Sequence, residues 1–166
     1  MRKAFTLIEM LISITILSIM MVFLYKSYSS LNSSNKFFKS ELENVKDVNM
    51  KKKMLFLDFT LAKEGKTKIL NQSIKEDVVF TQSSNSVHRR FNPYIAYVVK
   101  EGKLYRLESL KEFVNYPLSF ETSFVSDYLG EVNSFRVYKS KADREAYLLH
   151  VDFKDEDDIL LKVNVL

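Results

Sequence analysis

The first apolar stretch of the chain contains a single charged side chain, the carboxylate of Glu9. Nearly every residue from Phe5 to about Tyr25 is apolar. A run of about 20 apolar residues is long enough to cross a bilayer as a helix. An ionisable group inside such a run is costly unless it has a partner, so it indicates a functional site. The sequence therefore raises the question of which cation Glu9 pairs with.

A short basic leader precedes the apolar stretch, and residues 3–9 at the junction read KAFTLIE. This segment resembles the cleavage and methylation motif of type IV pilins and type II secretion pseudopilins. The resemblance implies that prepilin peptidase cuts between Ala4 and Phe5, that Phe5 is then N-methylated, and that Glu9 is the carboxylate that supports assembly. Ala4 stands where Gly is usual in the family, and we expect cleavage because Ala is also small.

The position of the implied cut gives Glu9 a partner. An ordinary secretory signal is cut after its apolar region, whereas here the apolar region would stay on the mature chain. The new amine at Phe5 would lie about 6 Å from Glu9, four residues along a helix. The pair could form within one chain, where the acid also meets the helix dipole, or between neighbouring chains, which the resemblance favours. The plain alternative is that Glu9 lies among the headgroups around an ordinary anchor.

Other residues that could carry chemistry form no ligand set or catalytic group. The chain has two histidines, His88 and His150, and no cysteine, so it offers no set of zinc ligands. The acidic residues 155–158 follow Lys154 and lack the alternate spacing and the glycine of a calcium loop, so they are interpreted as a hairpin turn, with a calcium site as the alternative. No phosphate loop, nucleophile elbow or paired catalytic carboxylates appear. We therefore predict no enzyme, no metal and no cofactor.

Two basic stretches have a solvated interpretation and a sharper one. His88, Arg89 and Arg90 lie beside Phe91 in a polar segment, and the simpler interpretation is a solvated loop. The sharper one is contact with DNA, in which Arg89 and Arg90 hold phosphate and the ring stacks on a base. The lysines at positions 51–53 are likewise predicted to form a solvated helix face, with phosphate binding as the alternative.

Composition limits the classes of protein that remain. The 166 residues include 25 Lys and Arg and 21 Asp and Glu, a formal charge of +4, and loss of Arg2 and Lys3 with the leader leaves +2. Such a mild charge does not require a nucleic-acid partner. The basic residues before the anchor predict a single-pass inner-membrane protein with its amino end in the cytoplasm and its C-terminal domain in the periplasm. Many major pilins carry a C-terminal disulfide, and the lack of cysteine favours a minor or pseudopilus subunit.

The sequence predicts one long helix and then a sheet. No Gly or Pro occurs before Gly65, which predicts a helix over residues 5–64, with 5–25 in the membrane and 26–64 amphipathic outside it. A bend or fraying is expected near residues 29–35. The apolar positions of the outer half that are expected to share one face are Leu31, Phe38, Leu42, Val45, Leu55, Phe59 and Ala62.

Beyond Gly65 the apolar residues change to the alternation of β-strands. Strands are predicted at residues 77–82, 94–99, 103–107, 120–125, 134–138, 147–153 and 159–165, with loops at 83–93 and 110–117. Residues 65–166 should therefore form an antiparallel sheet domain that the helix covers on one face. The fold class is α+β and, with the resemblance, pilin-like.

A weaker resemblance lies in the second half of the chain. Leu57-Asp58 and the segment from Tyr97 to Arg106 resemble J-type minor pseudopilins, which implies a structural subunit near the tip of a type II secretion or transformation pseudopilus. The implied partners are prepilin peptidase, other major and minor pilins, the inner-membrane assembly platform and inner-membrane lipid. The alternative is a DNA-binding minor pilin of a DNA-uptake or type IV pilus system.

Overall fold

The computed structural model describes residues 6–118, 123–140 and 145–166. The chain divides into two compact units, Met1–Lys46 and Asp47–Leu166. One α-helix, α1 (Leu7–Thr60), contributes residues to both units. The prediction of a single long helix is confirmed, although it ends four residues earlier than residue 64. The helix is continuous through the Ser- and Asn-rich residues 29–35.

In the first unit the described residues are helical beyond Thr6, and none of them is buried. The apolar stripe predicted for the outer half of the helix is therefore buried only toward the C-terminal end of α1. The four earlier stripe residues, Leu31, Phe38, Leu42 and Val45, are 54–67% exposed. The buried part of α1 lies at its C-terminal end, from Lys51 onward.

In the second unit the described residues form one antiparallel sheet in which every strand pairs with the next one along the chain. Its order is therefore that of a meander, and this confirms the α+β class. The strands are β1 (Lys68–Asn71), β2 (Asp77–Gln82), β3 (Tyr94–Lys100), β4 (Lys103–Ser109), β5 (Phe124–Lys139), β6 (Ala146–Phe153) and β7 (Ile159–Asn164).

Strands β1 and β5 differ from the prediction. The four residues of β1 lie in a segment for which no strand was predicted, and they pair with β2 at the edge of the sheet. Of the segments predicted as separate strands at 120–125 and 134–138, residues 124, 125 and 134–138 belong to the single 16-residue strand β5. Residues 120–122 lie outside the described part of the chain. A register shift between Val132 and Ser134 breaks the alternation along β5, which explains why the sequence looked like two strands.

The two halves of β5 pair with different neighbours, β4 first and then β6. Gly130 lies between these halves with φ 143°, a conformation that residues with a Cβ rarely adopt. A Cβ on Gly130 would lie 2.9 Å from the ring of Phe153. Glycine is thus required here by backbone conformation and by space, and it lets one strand serve both parts of the sheet.

The main core lies between the end of α1 and one face of the sheet. Leu55 and Phe59 are fully buried there, and the ring of Phe59 lies 6.0 Å from that of Tyr97 and 5.5 Å from that of Tyr147. Burying a side chain of this size contributes roughly 1.5–3 kcal/mol. A second apolar cluster covers the opposite face of β2–β4, where Phe113 from the loop after β4 stacks on Phe80 at 5.8 Å.

The hairpin and loop predictions around β3 and β4 hold. Glu101 and Gly102 connect the two strands and both have positive φ, 55° and 70°, as a tight two-residue hairpin turn requires. Residues 83–93 and 110–117 contain no strand. The loop at 83–93 is nevertheless held by hydrogen bonds from Asn85, Ser86 and Arg90.

Candidate functional site: the N-terminal motif and a buried ionic cluster

Thr6 and Glu9 form a reciprocal cap at the start of α1. The Glu9 carboxylate accepts hydrogen bonds from the Thr6 backbone N–H at 2.9 Å and from its hydroxyl at 2.8 Å. The Thr6 hydroxyl in turn accepts from the Glu9 N–H at 3.4 Å. This is the capping-box arrangement, in which a Thr before the helix and a Glu three residues later satisfy each other's backbone donors. Glu9 therefore has a partner within its own chain, but a neutral one.

The hydroxyl groups further along the apolar stretch are also satisfied within the helix. Ser13, Thr15 and Ser18 donate to the carbonyl oxygens four residues earlier, at 2.8, 2.5 and 2.8 Å. Because these hydroxyl groups are already hydrogen-bonded within the helix, moving them into hydrocarbon costs less free energy. By length and composition α1 is able to cross a membrane, and none of its most apolar window is buried.

The structure does not describe all of the predicted processing site. Ala4 and Phe5 lie outside the described residues, so the cut, the methyl group and the new amine stay predictions. Glu9 is exposed, and within the described ranges no ion pair involves it. The amine predicted to pair with Glu9 forms only when the chain is cut at Phe5, so pairing within one chain and pairing between chains both stay predictions.

Comparison with known families identifies the N-terminal segment. Residues 1–25 match the family described as "Prokaryotic N-terminal methylation motif". The match supports a pilin-like precursor of the type IV pilin and pseudopilin superfamily that prepilin peptidase processes, and it points to a structural subunit rather than to an enzyme. With the apolar helix, it is consistent with an inner-membrane anchor. No curated protein and no solved structure matches the chain.

The second unit contains a buried ionic cluster, which we call the Asp58 cluster: Asp58, Tyr97, Arg106, Glu108 and Asp127. Arg106 donates to both oxygens of Asp58, from Nε at 2.7 Å and from Nη2 at 3.2 Å. Its Nη1 donates to Glu108 at 2.8 Å and to Asp127 at 3.4 Å. The Tyr97 hydroxyl donates to Asp58 at 2.6 Å. The side chains of Asp58, Arg106 and Glu108 are 0% exposed.

The cluster is held together by charge compensation. Burial by itself would lower the pKa of Arg106, but its hydrogen bonds and charge interaction with Asp58 outweigh burial and raise it. Burial works in the other direction on Glu108, where hydrogen bonds from Ser86 and Arg106 outweigh it and lower the pKa. Burial, together with the charge of Asp58, raises the pKa of Tyr97 well above its usual value. Arg106 therefore stays charged between three carboxylates, and Tyr97 stays a donor.

The Asp58 cluster also fixes the loop between β2 and β3. The Asn85 side-chain amide donates to Asp58 at 2.6 Å, and the Ser86 hydroxyl donates to Glu108 at 2.6 Å. The Val87 N–H donates to Glu108 at 3.1 Å. His88 Nε2 lies 2.9 Å from a carboxylate oxygen of Asp127. The simpler prediction, a solvated basic loop, is therefore wrong for His88. It did not include Asp127, an acid that β5 places beneath the loop.

The two arginines of the loop have different environments. Arg90 is half-buried, and its guanidinium donates to the carbonyl oxygen of Glu108 at 2.9 Å, so the solvated prediction is wrong for it as well. Arg89 is exposed with φ 57°, and Phe91 beside it is 88% exposed. The predicted nucleic-acid contacts thus lie in one loop, with the side chain of Arg90 engaged internally.

Lys51 is a further correction, because it is buried instead of solvated. Its ammonium group lies 2.7 Å from Asp47 and 2.5 Å from Glu156, and 5.2 Å from the ring centre of Phe153. Burial opposes its charge, but the hydrogen bonds to the two acids raise the pKa. Of its neighbours in the lysine run, Lys53 is exposed as predicted.

The remaining candidates for metal binding lie around the β6–β7 turn. His150 is half-exposed on β6, as predicted, with Nε2 3.6 Å from Asp158. Residues 154–158 connect β6 and β7, which agrees with the predicted turn. In the part of the chain that the structure describes, no group of three or more His, Asp or Glu side chains is placed to hold a metal ion.

The sequence analysis missed the Asp58 cluster, although two signals were present. Asp58 is a charged residue directly beside Phe59 and three positions after Leu55, so it lies within the apolar stripe of α1. Arg106 and Glu108 lie two and four positions after Leu104, so the three side chains share one face of β4. All three residues are buried. Charged residues at positions that periodicity assigns to the core indicate a buried ion pair. Which residues pair is set by contacts up to 48 positions apart.

Proposed function

We propose that this chain is a structural subunit of a pilin-like filament whose mature form begins at Phe5. Prepilin peptidase cuts after Ala4, and the new amine of Phe5 is methylated. The observation that carries the proposal is the match of residues 1–25 to the methylation motif. The matched segment includes the start of an apolar helix that is long enough to act as a membrane anchor. Glu9 is the group whose chemistry links processing to assembly.

The surroundings of Glu9 support pairing with a cation that Thr6 does not supply, and we assign this cation to a neighbouring chain. Two donors of Thr6 satisfy acceptor sites of the carboxylate, but they do not neutralise its charge. The terminal amine of an adjacent mature subunit supplies the missing cation, and each charge is less costly in hydrocarbon when paired. Because the pair has one geometry, it would also set the axial register between subunits.

The setting that best fits this role is a type II secretion or transformation pseudopilus, with the chain as a minor subunit near the tip. The J-type resemblance of Leu57-Asp58 and of the segment from Tyr97 to Arg106 supports this choice. The chain would lie in the inner membrane with its sheet domain in the periplasm, and it would contact the assembly platform, lipid and other pilins.

The processing step is tested with Ala4→Asp, which places a charged residue at the cut. We expect the substitution to block cleavage, so that the chain keeps residues 1–4 and lacks the methyl group. Mass spectrometry of the amino terminus measures both changes at once. A mature mass for this variant would remove the assigned cut site.

The assembly step is tested with Glu9→Gln and Glu9→Leu. The Gln variant keeps an oxygen that can accept from Thr6, so it removes the charge and retains the cap, whereas the Leu variant removes both. We expect both variants to be inserted and to be defective in co-purifying partner pilins. If the Gln variant assembles normally and only the Leu variant fails, the cap and not the charge is what assembly needs, and the pairing role is wrong.

A DNA-binding minor pilin is the second candidate, and it is favoured by the exposed side chains of Arg89 and Phe91. A cation beside an aromatic ring is able to hold a phosphate and stack a base. Against it, Arg90 is engaged with a carbonyl oxygen and carboxylates lie beneath the loop. The test is binding of a single-stranded oligonucleotide to the full chain at low salt, which should be lost in Arg89→Ala if this candidate is correct.

A further inference from the structure

The loop between β2 and β3 is held in one conformation although it is a surface loop. Arg89 and Asn92 have positive φ, 57° and 46°; Asn tolerates this conformation, but for Arg89 it is unfavourable unless the surroundings enforce it. Here the bonds of Asn85, Ser86 and His88 to the Asp58 cluster provide that enforcement. A loop fixed in this way presents its outward side chains with little entropy left to lose on binding.

The outward side chains are Val87, Arg89 and Phe91, which we call the display face. Val87 is 47% exposed and Phe91 is 88% exposed, and Arg89 is exposed between them in sequence. The alternate residues His88 and Arg90 point to internal partners. A cation flanked by two apolar groups fits a protein surface that offers a carboxylate next to an apolar side chain.

The display face belongs to a basic end of the second unit. Residues 61–68 adjoin the loop, since the Ser84 N–H donates to the carbonyl oxygen of Leu61 at 3.1 Å. The three lysines and one glutamate of this segment are exposed. With Arg89 they give four outward cations and one outward anion, and the exposed Glu112, 4.0 Å from Lys68, brings the net charge of these groups to +2 (4 − 2). Beneath the loop, Asp58 and Glu108 are fully buried against Arg106, and Asp127, which is 22% exposed, contacts His88.

The second unit also has an acidic end, which lies beside Lys51 of α1. Two turns meet there, residues 100–103 and 154–158, because Gly102 accepts from Val132 and Lys154 donates to the carbonyl oxygen of Glu131. Together the two turns carry five carboxylates and three lysines, a net charge of −2 (3 − 5). Glu156 contacts Lys51, whereas Asn85 contacts Asp58. Lys51 and Asp58 are seven residues apart on α1, so about 10 Å of helix separates the two contacts.

The acidic end also offers apolar surface. Asp155 and Asp157 are exposed, Leu160 at the start of β7 is 65% exposed, and Tyr128 is 56% exposed. Tyr128 and Asp155 line the same depression in the surface. The chain thus carries both halves of a contact, a cation between apolar groups at one end and carboxylates beside apolar groups at the other.

We infer that the display face of one subunit docks on the β6–β7 turn of a second copy of this chain. This inference rests on the proposed function as a filament subunit. A contact between two different surfaces of identical chains is heterologous and arranges them head to tail, and two adjacent copies of a minor subunit near the tip are enough to form it. Nucleic acid fits this face less well, because the acidic end of the same unit would repel it while attracting the basic end of another copy.

The absence of cysteine from the sequence makes disulfide trapping the sharpest test. One tagged full-length copy carries Arg89→Cys, and a second copy with another tag carries Asp157→Cys. Both are expressed in membranes with processing intact and then oxidised. We expect a crosslinked dimer that contains both tags, and no dimer from either variant alone. The matched control pairs Arg89→Cys with Ile74→Cys, a position that is 92% exposed on another turn.

Charge reversal checks the same contact without a crosslink. Arg89→Glu should reduce co-purification of a second copy about two- to fivefold, the range for an exposed ion pair. Asp157→Arg in the other copy should restore it. Near-UV circular dichroism of the variants should match that of the unmodified chain, because both positions are exposed.

Other results would overturn the inference in distinguishable ways. Mature, methylated chains that crosslink equally well through the control position, or through Arg89→Cys alone, would refute the head-to-tail contact and leave the proposed function intact. A crosslink only to a different pilin would refute the second copy as the occupant. Loss of the crosslink on adding single-stranded DNA would assign the face to nucleic acid. Chains that keep residues 1–4 would refute the proposed function itself.

Discussion

Arg106→Met should destabilise the second unit more than any other exchange of one cation. Arg106 and Asp58 are both fully buried and lie 2.7 Å apart. Removing one partner of a buried ion pair costs about 3–5 kcal/mol, because the other charge stays buried without compensation. The unit Asp47–Leu166 has the size of a domain whose total stability is about 5–15 kcal/mol. For a domain of this size the loss corresponds to a fall in Tm of about 10–25 °C.

The assay is thermal unfolding of the full chain in detergent, followed by near-UV circular dichroism. The chain has nine tyrosines and no tryptophan, so this signal comes from tyrosine and phenylalanine and includes Tyr97 inside the cluster. Arg89→Met is the matched control, since it makes the same chemical change at an exposed position. It should alter the free energy of unfolding by no more than about 0.5 kcal/mol.

A double mutant separates loss of charge compensation from loss of packing. Asp58→Asn keeps an oxygen that accepts from Tyr97 but removes the charge that Arg106 neutralises. The double mutant Asp58→Asn/Arg106→Met should therefore be less destabilised than the sum of the single mutants by about 0.5–3 kcal/mol. If the two changes add, or if Arg106→Met alone costs less than about 1 kcal/mol, the buried pair is not what fixes this region.

Three further exchanges test other parts of the second unit by the same unfolding assay. Lys51→Met should cost about 1–3 kcal/mol because it leaves two acids without their buried cation, whereas Lys53→Met at an exposed position should be nearly neutral. Gly130→Ala should cost about 1–3 kcal/mol from the clash of the new Cβ with a ring, and Gly65→Ala, where nothing lies within 4 Å, should cost less. Burial would raise the pKa of Glu145, but hydrogen bonds from the Gly65 N–H, Lys139 and Tyr147 outweigh it and lower this pKa to about 2. Because the unfolded chain binds this proton first, the stability that Glu145 contributes is present above about pH 4.5 and is lost as the pH falls toward 2. Glu145→Gln should therefore flatten the dependence of Tm on pH in that interval, and an unchanged slope would contradict this.

Local patterns in the sequence were sufficient for the element types. The lack of Gly and Pro before Gly65 predicted one helix, and alternation predicted most strands, because both signals depend on neighbouring residues. The strand β1 (Lys68–Asn71) has four residues, too few for alternation to stand out. The bulge after Val132 shifted the alternation within β5 and made it resemble two strands.

The environments of charged residues could not be predicted in the same way. Lys51, His88 and Arg90 lie in polar stretches, which usually indicates solvation, and each has a partner that the chain supplies from a distant segment. Such partners are determined by which distant segments pack together, and the hydrophobic periodicity of the sequence does not predict that packing. Glu9 and Thr6 are the contrasting case, because their spacing of three residues is itself the signature of a helix cap.

The Asp58 carboxylate is shared by the last turns of α1, by the loop after β2 and by strands β3 and β4. Opening α1 or β4 would leave a charge in the interior without its counter-charge, and opening the loop or β3 would remove a hydrogen bond from the buried carboxylate, so none of the four opens without a cost. Native-state amide exchange should therefore show these four segments losing protection together, as one cooperative block. The exposed turn at Ile74, which lies outside this block, should exchange earlier.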